Sequence, residues 1–294
     1  MYNIVIVESP AKINLHLDVK GKRSDGYHEI CSLFQMISLF DTITVRRAEG
    51  HSECTISGTE EIPTDRNLMY KAYRVFQEYS PDIGGVSIAI EKRIPIKAGL
   101  GGGSSNAASV LKALNSLFET GYSQESLAQI GAHLGSDVPF FCYESAVAIA
   151  TGRGEQIRTL KSPKVLYGVL LYPFIEVDTA KAYSWLDERD NHNSSLLSES
   201  DIVDQYVHRH ADRWEFCNSF QSVVENRFPY IRKLIEKLYA LGAAYASVSG
   251  SGSALFGIFP REQDADYAKK QINATFSGVW KIKTLDRMLP VIVK

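Results

Sequence analysis

Four glycines in five residues, Gly99, Gly101, Gly102 and Gly103, precede two hydroxyls, Ser104 and Ser105, in AGLGGGSSNAA (98–108). Glycine lets a backbone approach a ligand closely and adopt positive φ. The first amides of a helix have no acceptor inside it, and the helix dipole adds positive potential there. Such a loop holds an anion, above all a phosphate, without a lysine of its own. This loop also lacks the usual Gly-Lys-Ser/Thr ending, so any cation comes from elsewhere in the chain. The competing reading is a Gly-rich turn that packs a helix tightly on a sheet. The two hydroxyls and the helix that follows favour phosphate.

Lys12 in SPAKINL and Asp137 in LGSDVPFF offer a cation and a carboxylate. Each has a plainer reading, Lys12 as an edge lysine that discourages sheet pairing and Asp137 as an N-cap before an apolar run. Tyr27 and His28 in DGYHE read equally as turn residues. His16 reads as a satisfied strand histidine without a role. A second Gly/Ser loop, SVSGSGSALFG (247–257), is either a hairpin turn or the opposite wall of the same pocket.

The elements that must position these groups follow from periodicity. Residues 4–7 and 13–19 read as two strands, the second placing Lys12, Asn14 and His16 on one face away from the core. A helix is expected over 66–79, with Leu68, Ala72, Val75, Phe76 and Tyr79 on its inner side. After the glycines, Ala107, Val110, Leu111, Leu114, Leu117 and Phe118 mark a helix capped by Ser104 or Ser105. Further helices are expected at 123–134, across NSFQSVVENRF and PYIRKLIEKLYALG, and at DADYAKKQINATF. Strands are expected at 85–95, 146–157, 164–173 and on either side of the second Gly/Ser loop, with a last one in KIKTLDRMLPVIV. The polar stretch 187–212 reads as a surface excursion with a short helix. Strands and helices mix throughout, which gives an α+β architecture.

Composition limits the alternatives. At 294 residues the chain is one large domain or two joined ones. A net charge of −2 argues against nucleic acid or another polyanion as partner. Cys31, Cys54, Cys142 and Cys217 are scattered, which suits reduced thiols better than disulfides or zinc. No apolar run reaches the roughly 20 residues of a membrane span, and MYNIVIVESPAKINL does not read as a targeting segment. The expectation is a cytoplasmic protein, a monomer or weak homodimer.

PAKINL (10–15), PIKAGLGGGSSNAA (95–108) and SGSGSALFG (249–257), in that order, resemble the three motifs of the GHMP kinases, a family of small-molecule kinases. The resemblance covers nearly the whole chain. It implies a two-domain fold: residues 1–162 with a left-handed βαβ crossover, and an α+β domain over 163–294. It also implies ATP with Mg²⁺. Within the family, PAKINLHLDVKGKRSDGYHE and LGSDVPFF are most similar to the branch acting on a diphosphocytidyl-methylerythritol. That branch moves the γ-phosphoryl of ATP to the 2-hydroxyl of the methylerythritol unit, in the non-mevalonate route to isoprenoids. The resemblance implies Lys12 and Asp137 as the catalytic pair and Asn14, Tyr27, His28, Thr179 and Tyr183 as substrate contacts. Nucleotide contacts would come from Asn67, Pro95, Lys97 and the loop Gly99, Leu100, Gly101, Gly102, Gly103, Ser104 and Ser105. Tyr27 and Tyr183 would sandwich the cytosine while His28 reads its edge. The alternatives are a homoserine- or mevalonate-kinase type of GHMP kinase, or a silent nucleotide- or sugar-binding relative.

Overall fold

The computed structural model describes residues 3–48, 53–161, 165–188 and 195–294. Its elements run β1 (Ile4–Lys22), β2 (His28–Arg47), β3 (Cys54–Ser57), α1 (Leu68–Tyr79), β4 (Val86–Glu91), α2 (Gly102–Phe118), α3 (Gln124–Ala132) and α4 (Val138–Cys142). There follow β5 (Val147–Thr151), β6 (Gln156–Leu160), β7 (Tyr167–Leu171), α5 (Thr179–Asp187), α6 (Glu199–His208) and α7 (Gln221–Arg227). The chain ends with α8 (Pro229–Ala240), β8 (Tyr245–Val248), β9 (Leu255–Phe259), α9 (Glu262–Asn273), β10 (Val279–Lys283) and β11 (Ile292–Val293). The fold is α+β, as expected.

Two sheets organise it. The first runs β11-β1-β2-β4-β3, with β5 pairing another stretch of β2 and β6 pairing β5. Its β3 and β4 are parallel and α1 crosses between them, which is the expected βαβ unit. The second is β10-β7-β9-β8, antiparallel throughout. Helices α1 to α4 bury Phe76, Leu111, Leu114 and Phe140 against the first sheet. Helices α5, α7, α8 and α9 cover the second sheet with Leu186, Val224, Leu238 and Ile272. A third core holds Ile13, Leu33 and Ile37 of the first sheet with Phe256, Ile258 and Ile282 of the second. The last strand returns to pair with β1, so the second half of the chain also contributes to the first sheet. The boundary expected at 162/163 lies outside the described residues.

Several expectations change on contact with the fold. The two strands read at 4–7 and 13–19 are one strand, because Pro10 sits at a register shift against β2 where no ladder amide is needed. The inner face of α1 carries Met69, Ala72, Tyr73 and Phe76, a rotation of about one residue from the expected stripe. The final apolar run splits into β10 and β11. The 187–212 stretch is not all surface: Ile202 and Tyr206 of α6 are buried, and the Tyr206 hydroxyl donates to Gln35 Oε1 at 2.7 Å. Residues 189–194 of that stretch lie outside the described residues.

His16 does not share the face of Lys12 and Asn14. A second register shift between Asn14 and His16 adds one residue to β1 and reverses the alternation. His16 is then fully buried, its Nδ1 accepting from the Cys217 amide at 3.2 Å, while Nε2 has no partner among the described residues. Burial, helped by the Lys20 charge, pushes its pKa down to about 4. The unfolded chain, at the ordinary value, binds that proton more readily, so the stability His16 gives above about pH 6.5 is lost as pH falls toward 4. The His16→Asn variant, which keeps an acceptor for the Cys217 amide, is expected to lose less stability than the parent between pH 7 and 5. Urea midpoints at the two values check this, and equal losses would remove His16 as the cause.

Candidate active site

A cavity of about 1150 Å³ opens where the glycine loop, β1, β2, α5 and the second Gly/Ser loop meet. Of the residues expected to form the site, only Ser105 stays out of its lining. The loop ends in an abrupt helix start. Gly101 occupies the N-cap of α2 in the left-handed region (φ 66°) with no side-chain cap, so the Ser104/Ser105 cap is not formed. The amides of Gly102, Gly103 and Ser104 therefore begin the helix without acceptors inside it. Ser105 is already helical: its amide donates to Gly101 O at 2.8 Å, and its hydroxyl turns inward to Ser9 Oγ at 2.7 Å. Ser104 keeps its place on the cavity wall.

The second Gly/Ser loop is attached to the first. Ser249 Oγ donates to Gly99 O at 2.9 Å, and the Ala254 amide donates to Ala98 O at 3.1 Å. Asn218, unnoticed in the sequence, holds this second loop. Its Nδ2 donates to Val248 O and Gly250 O, and its Oδ1 accepts from the Phe220 amide. Gly250 and Ser251 reach the cavity, so the second loop is its wall as well as a hairpin turn.

Lys12 and Asp137 meet in the middle. Lys12 Nζ lies 3.3 Å from Asp137 Oδ2 and donates to Asn14 Oδ1 at 2.7 Å, while Phe34 lies beneath it at 4.4 Å. The Lys12 amide donates to Leu100 O at 2.9 Å, which fixes β1 against the glycine loop. Lys12 is thus buried beneath the loop and is not an edge lysine. Asp137 stands at the N-cap of α4 but makes no cap hydrogen bond, which leaves its carboxylate facing Lys12. Asn14 holds Lys12 with one end of its amide and Ser32 Oγ, at 2.9 Å, with the other.

The sequence reading missed a second cation. Lys92, just past β4, lines the cavity and pairs with buried Asp41 at 2.5 Å. A Cβ built on Gly102 would lie 3.6 Å from Lys92 Nζ, so this ammonium sits beside the open helix start. Asp41 also accepts from the Arg93 and Ile94 amides at 2.7 and 2.9 Å, which locks the bend that aims Lys92. The cue was EKR at a strand end just before the loop; by itself it resembles a solvated charge run. Lys97 points to Glu176 at 2.9 Å and is largely exposed. Pro95 lines the wall beside it, and Asn67 caps α1 through Oδ1 while its Nδ2 donates to Thr59 Oγ1.

At the far end, α5 supplies Thr179, whose hydroxyl pairs with Ser251 Oγ at 3.0 Å, and Tyr183. His28 stacks on Tyr183 at 4.5 Å, and its Nε2 lies 2.7 Å from Asp187 Oδ1. Burial works against the Asp187 charge, yet the His28 hydrogen bond and nearby Lys22 hold its carboxyl below the usual range. Burial and the Asp137 charge push the Tyr183 hydroxyl up to about 12. Tyr27 is exposed, with the Arg153 guanidinium 4.7 Å above its ring. The two rings expected to sandwich cytosine therefore already have neighbours, Arg153 on Tyr27 and His28 on Tyr183. Arg153 and Asp187 were not anticipated. TGRG (151–154) around the β5–β6 turn was the available cue for the first.

Among the described residues no group of three or more His, Cys, Asp or Glu could hold a metal, and no helix is long and apolar enough to cross a membrane. Residues 67–145 match the family description "GHMP kinases N terminal domain" and residues 201–278 match "GHMP kinases C terminal". The chain is 37% identical over 274 residues to the 4-diphosphocytidyl-2-C-methyl-D-erythritol kinase of Thermodesulfovibrio yellowstonii, covering 92% of this chain and 93% of that one. It is 37% identical to the enzyme of that name from Alkaliphilus metalliredigens, covering 96% and 97%. A crystal structure of 4-(cytidine 5'-diphospho)-2C-methyl-D-erythritol kinase superposes with a TM-score of 0.82 at 33% identity, over 95% of this chain and 98% of that one. A homoserine kinase from Cytophaga hutchinsonii shares the fold alone, at a TM-score of 0.71 and 17% identity. The lysine–carboxylate pair, the open helix start and these relatives agree: the chain belongs to the GHMP kinases, in the 4-diphosphocytidyl-2-C-methyl-D-erythritol kinase family.

Proposed function

We propose that this protein transfers the γ-phosphoryl of ATP to the 2-hydroxyl of 4-diphosphocytidyl-2-C-methyl-D-erythritol. The observation that carries the reading is the Lys12–Asp137 pair, 3.3 Å apart between an open helix start and an aromatic wall. Phosphoryl transfer depends on positioning and on charge stabilisation more than on covalent help from the protein. The first-turn amides of α2 and the Ser104 hydroxyl hold the ATP phosphates, and Lys92 adds its charge at their side. Asp137 accepts the proton of the acceptor hydroxyl. Lys12 orients Asp137 and offsets charge on the transferred group. Asn14 acts through Lys12, as a positioning residue.

The residues present suit a Mg²⁺ carried mainly by the nucleotide, since Mg²⁺ keeps several waters and needs few protein ligands. Ser104, on the cavity wall, is the hydroxyl that would hold it. When bound, the ion neutralises phosphate charge. Cytosine enters between Tyr27 and Tyr183 by displacing Arg153 from one ring or His28 from the other, and Arg153 then faces the diphosphate. The protein works in the cytoplasm as a monomer or weak homodimer, its two domains dividing near residue 162.

An ADP-release assay with an acceptor panel tests the proposal. Turnover with the cytidylyl acceptor is expected, with little or none for mevalonate or homoserine. Tyr183→Ala is expected to raise KM for the cytidylyl substrate about tenfold, in line with an aromatic platform's contribution, and to leave KM for ATP nearly unchanged. Equal effects on both, or turnover of another acceptor in preference, would refute the reading.

A further inference from the structure

A second cavity, of about 420 Å³, lies between α2, α3 and the tail that follows β10. Leu127, Met288 and Val291 give it apolar walls, and Lys112 of α2 reaches into it. The hydrogen bond of Lys112 to the Tyr143 carbonyl is 3.4 Å long, at the edge of useful geometry. No ion pair to Lys112 is formed among the described residues. A half-buried ammonium without a counter-ion is costly. Burial accordingly pushes this amine down to about 8, although Cys142 and Glu144 oppose the shift. Gln124 spends its carbonyl oxygen on the Glu144 amide at 3.0 Å, and its NH₂ makes no hydrogen bond among the described residues. Arg287 and Glu144 are exposed at the rim.

We infer that this cavity binds a small organic monocarboxylate, with Lys112 taking the carboxylate and Leu127, Met288 and Val291 taking its apolar body. Lys112 and Arg287 against Glu144 leave one positive charge, which suits a monoanion over a phosphate dianion. The volume falls within the range of small-molecule pockets. Lys112 is ten residues along α2 from Gly102, about 15 Å by helix rise, so the site is separate from the phosphate loop.

Titration calorimetry on the full chain tests this with hexanoate, and with hexylamine as the charge-reversed probe. One-site, saturable binding of hexanoate is expected, unaffected by saturating ATP, with no heat from hexylamine. Lys112→Met keeps the apolar stem and is expected to weaken hexanoate about tenfold or more. Leu127→Phe, which fills the cavity and keeps the lysine, is expected to abolish binding; retained kinase turnover reports folding in each variant. Absence of saturation at millimolar hexanoate, equal binding of hexylamine, displacement by ATP, or unchanged affinity in both variants would overturn the assignment.

Discussion

Asp137→Asn is expected to lower turnover by about 10² or more while nucleotide affinity stays within a few-fold of the parent. The substitution keeps size and shape. Lys12 retains its 2.7 Å hydrogen bond to Asn14 Oδ1 and its contact with Phe34, so the cation stays in place. Asp137 makes no helix-cap bond whose loss would unravel α4. What disappears is the carboxylate proposed to take a proton from the acceptor. ADP release gives turnover, and equilibrium nucleotide binding gives the control. Near-normal turnover would show that the hydroxyl loses its proton elsewhere.

The second large effect is expected at Gly99. Its φ of +78° is one that side-chain-bearing residues rarely adopt, and a Cβ there would lie 2.1 Å from the Ser249 carbonyl oxygen. That contact is backbone against backbone, so no side chain can rotate away. Gly99→Ala must push the two Gly/Ser loops apart, and with them the Ser249–Gly99 hydrogen bond. Left-handed backbone alone costs about 1–2 kcal/mol for a residue with a Cβ, and the displaced loop adds to it. A melting temperature lower by roughly 4 °C or more is expected, at 2–4 °C per kcal/mol for domains of 150–250 residues. The KM for ATP should rise about tenfold or more, since helix-start amides bind phosphate only while they converge. Unchanged stability and KM would show the loops to be independent.

How much was readable beforehand follows from what each signal is made of. The glycine loop, Lys12 and Asp137 were legible because backbone freedom, charge and a helix start are written in residue types. The helix after the loop was legible through its apolar period, and Leu111, Leu114 and Leu117 are buried as that period requires. Other features depend on partners far away in the chain. Ser105 fits a cap by composition, yet Gly101 already turns the chain, one turn early, and Ser105 answers to Ser9 instead. Asn67 fits a polar contact by position, yet it is spent on the start of α1. Lys92 gains its meaning from Asp41, 51 residues earlier, whose three bonds aim it. The stack of His28 on Tyr183 joins residues 155 apart and leaves no trace in either local stretch.

The surplus residue in β1 sets the phase of the strand. Lys12 and Asn14 line the large cavity; beyond the extra residue Leu17 does so, and His16 is turned to the Cys217 amide. Without that bulge the alternation would run on unbroken, and the side chains from His16 to Val19 would each face the other way, up to the next register shift between Val19 and Gly21. The imidazole would then enter the cavity and Leu17 would leave it. The make-up of this wall therefore rests on one irregularity of pairing as much as on the residue types around it.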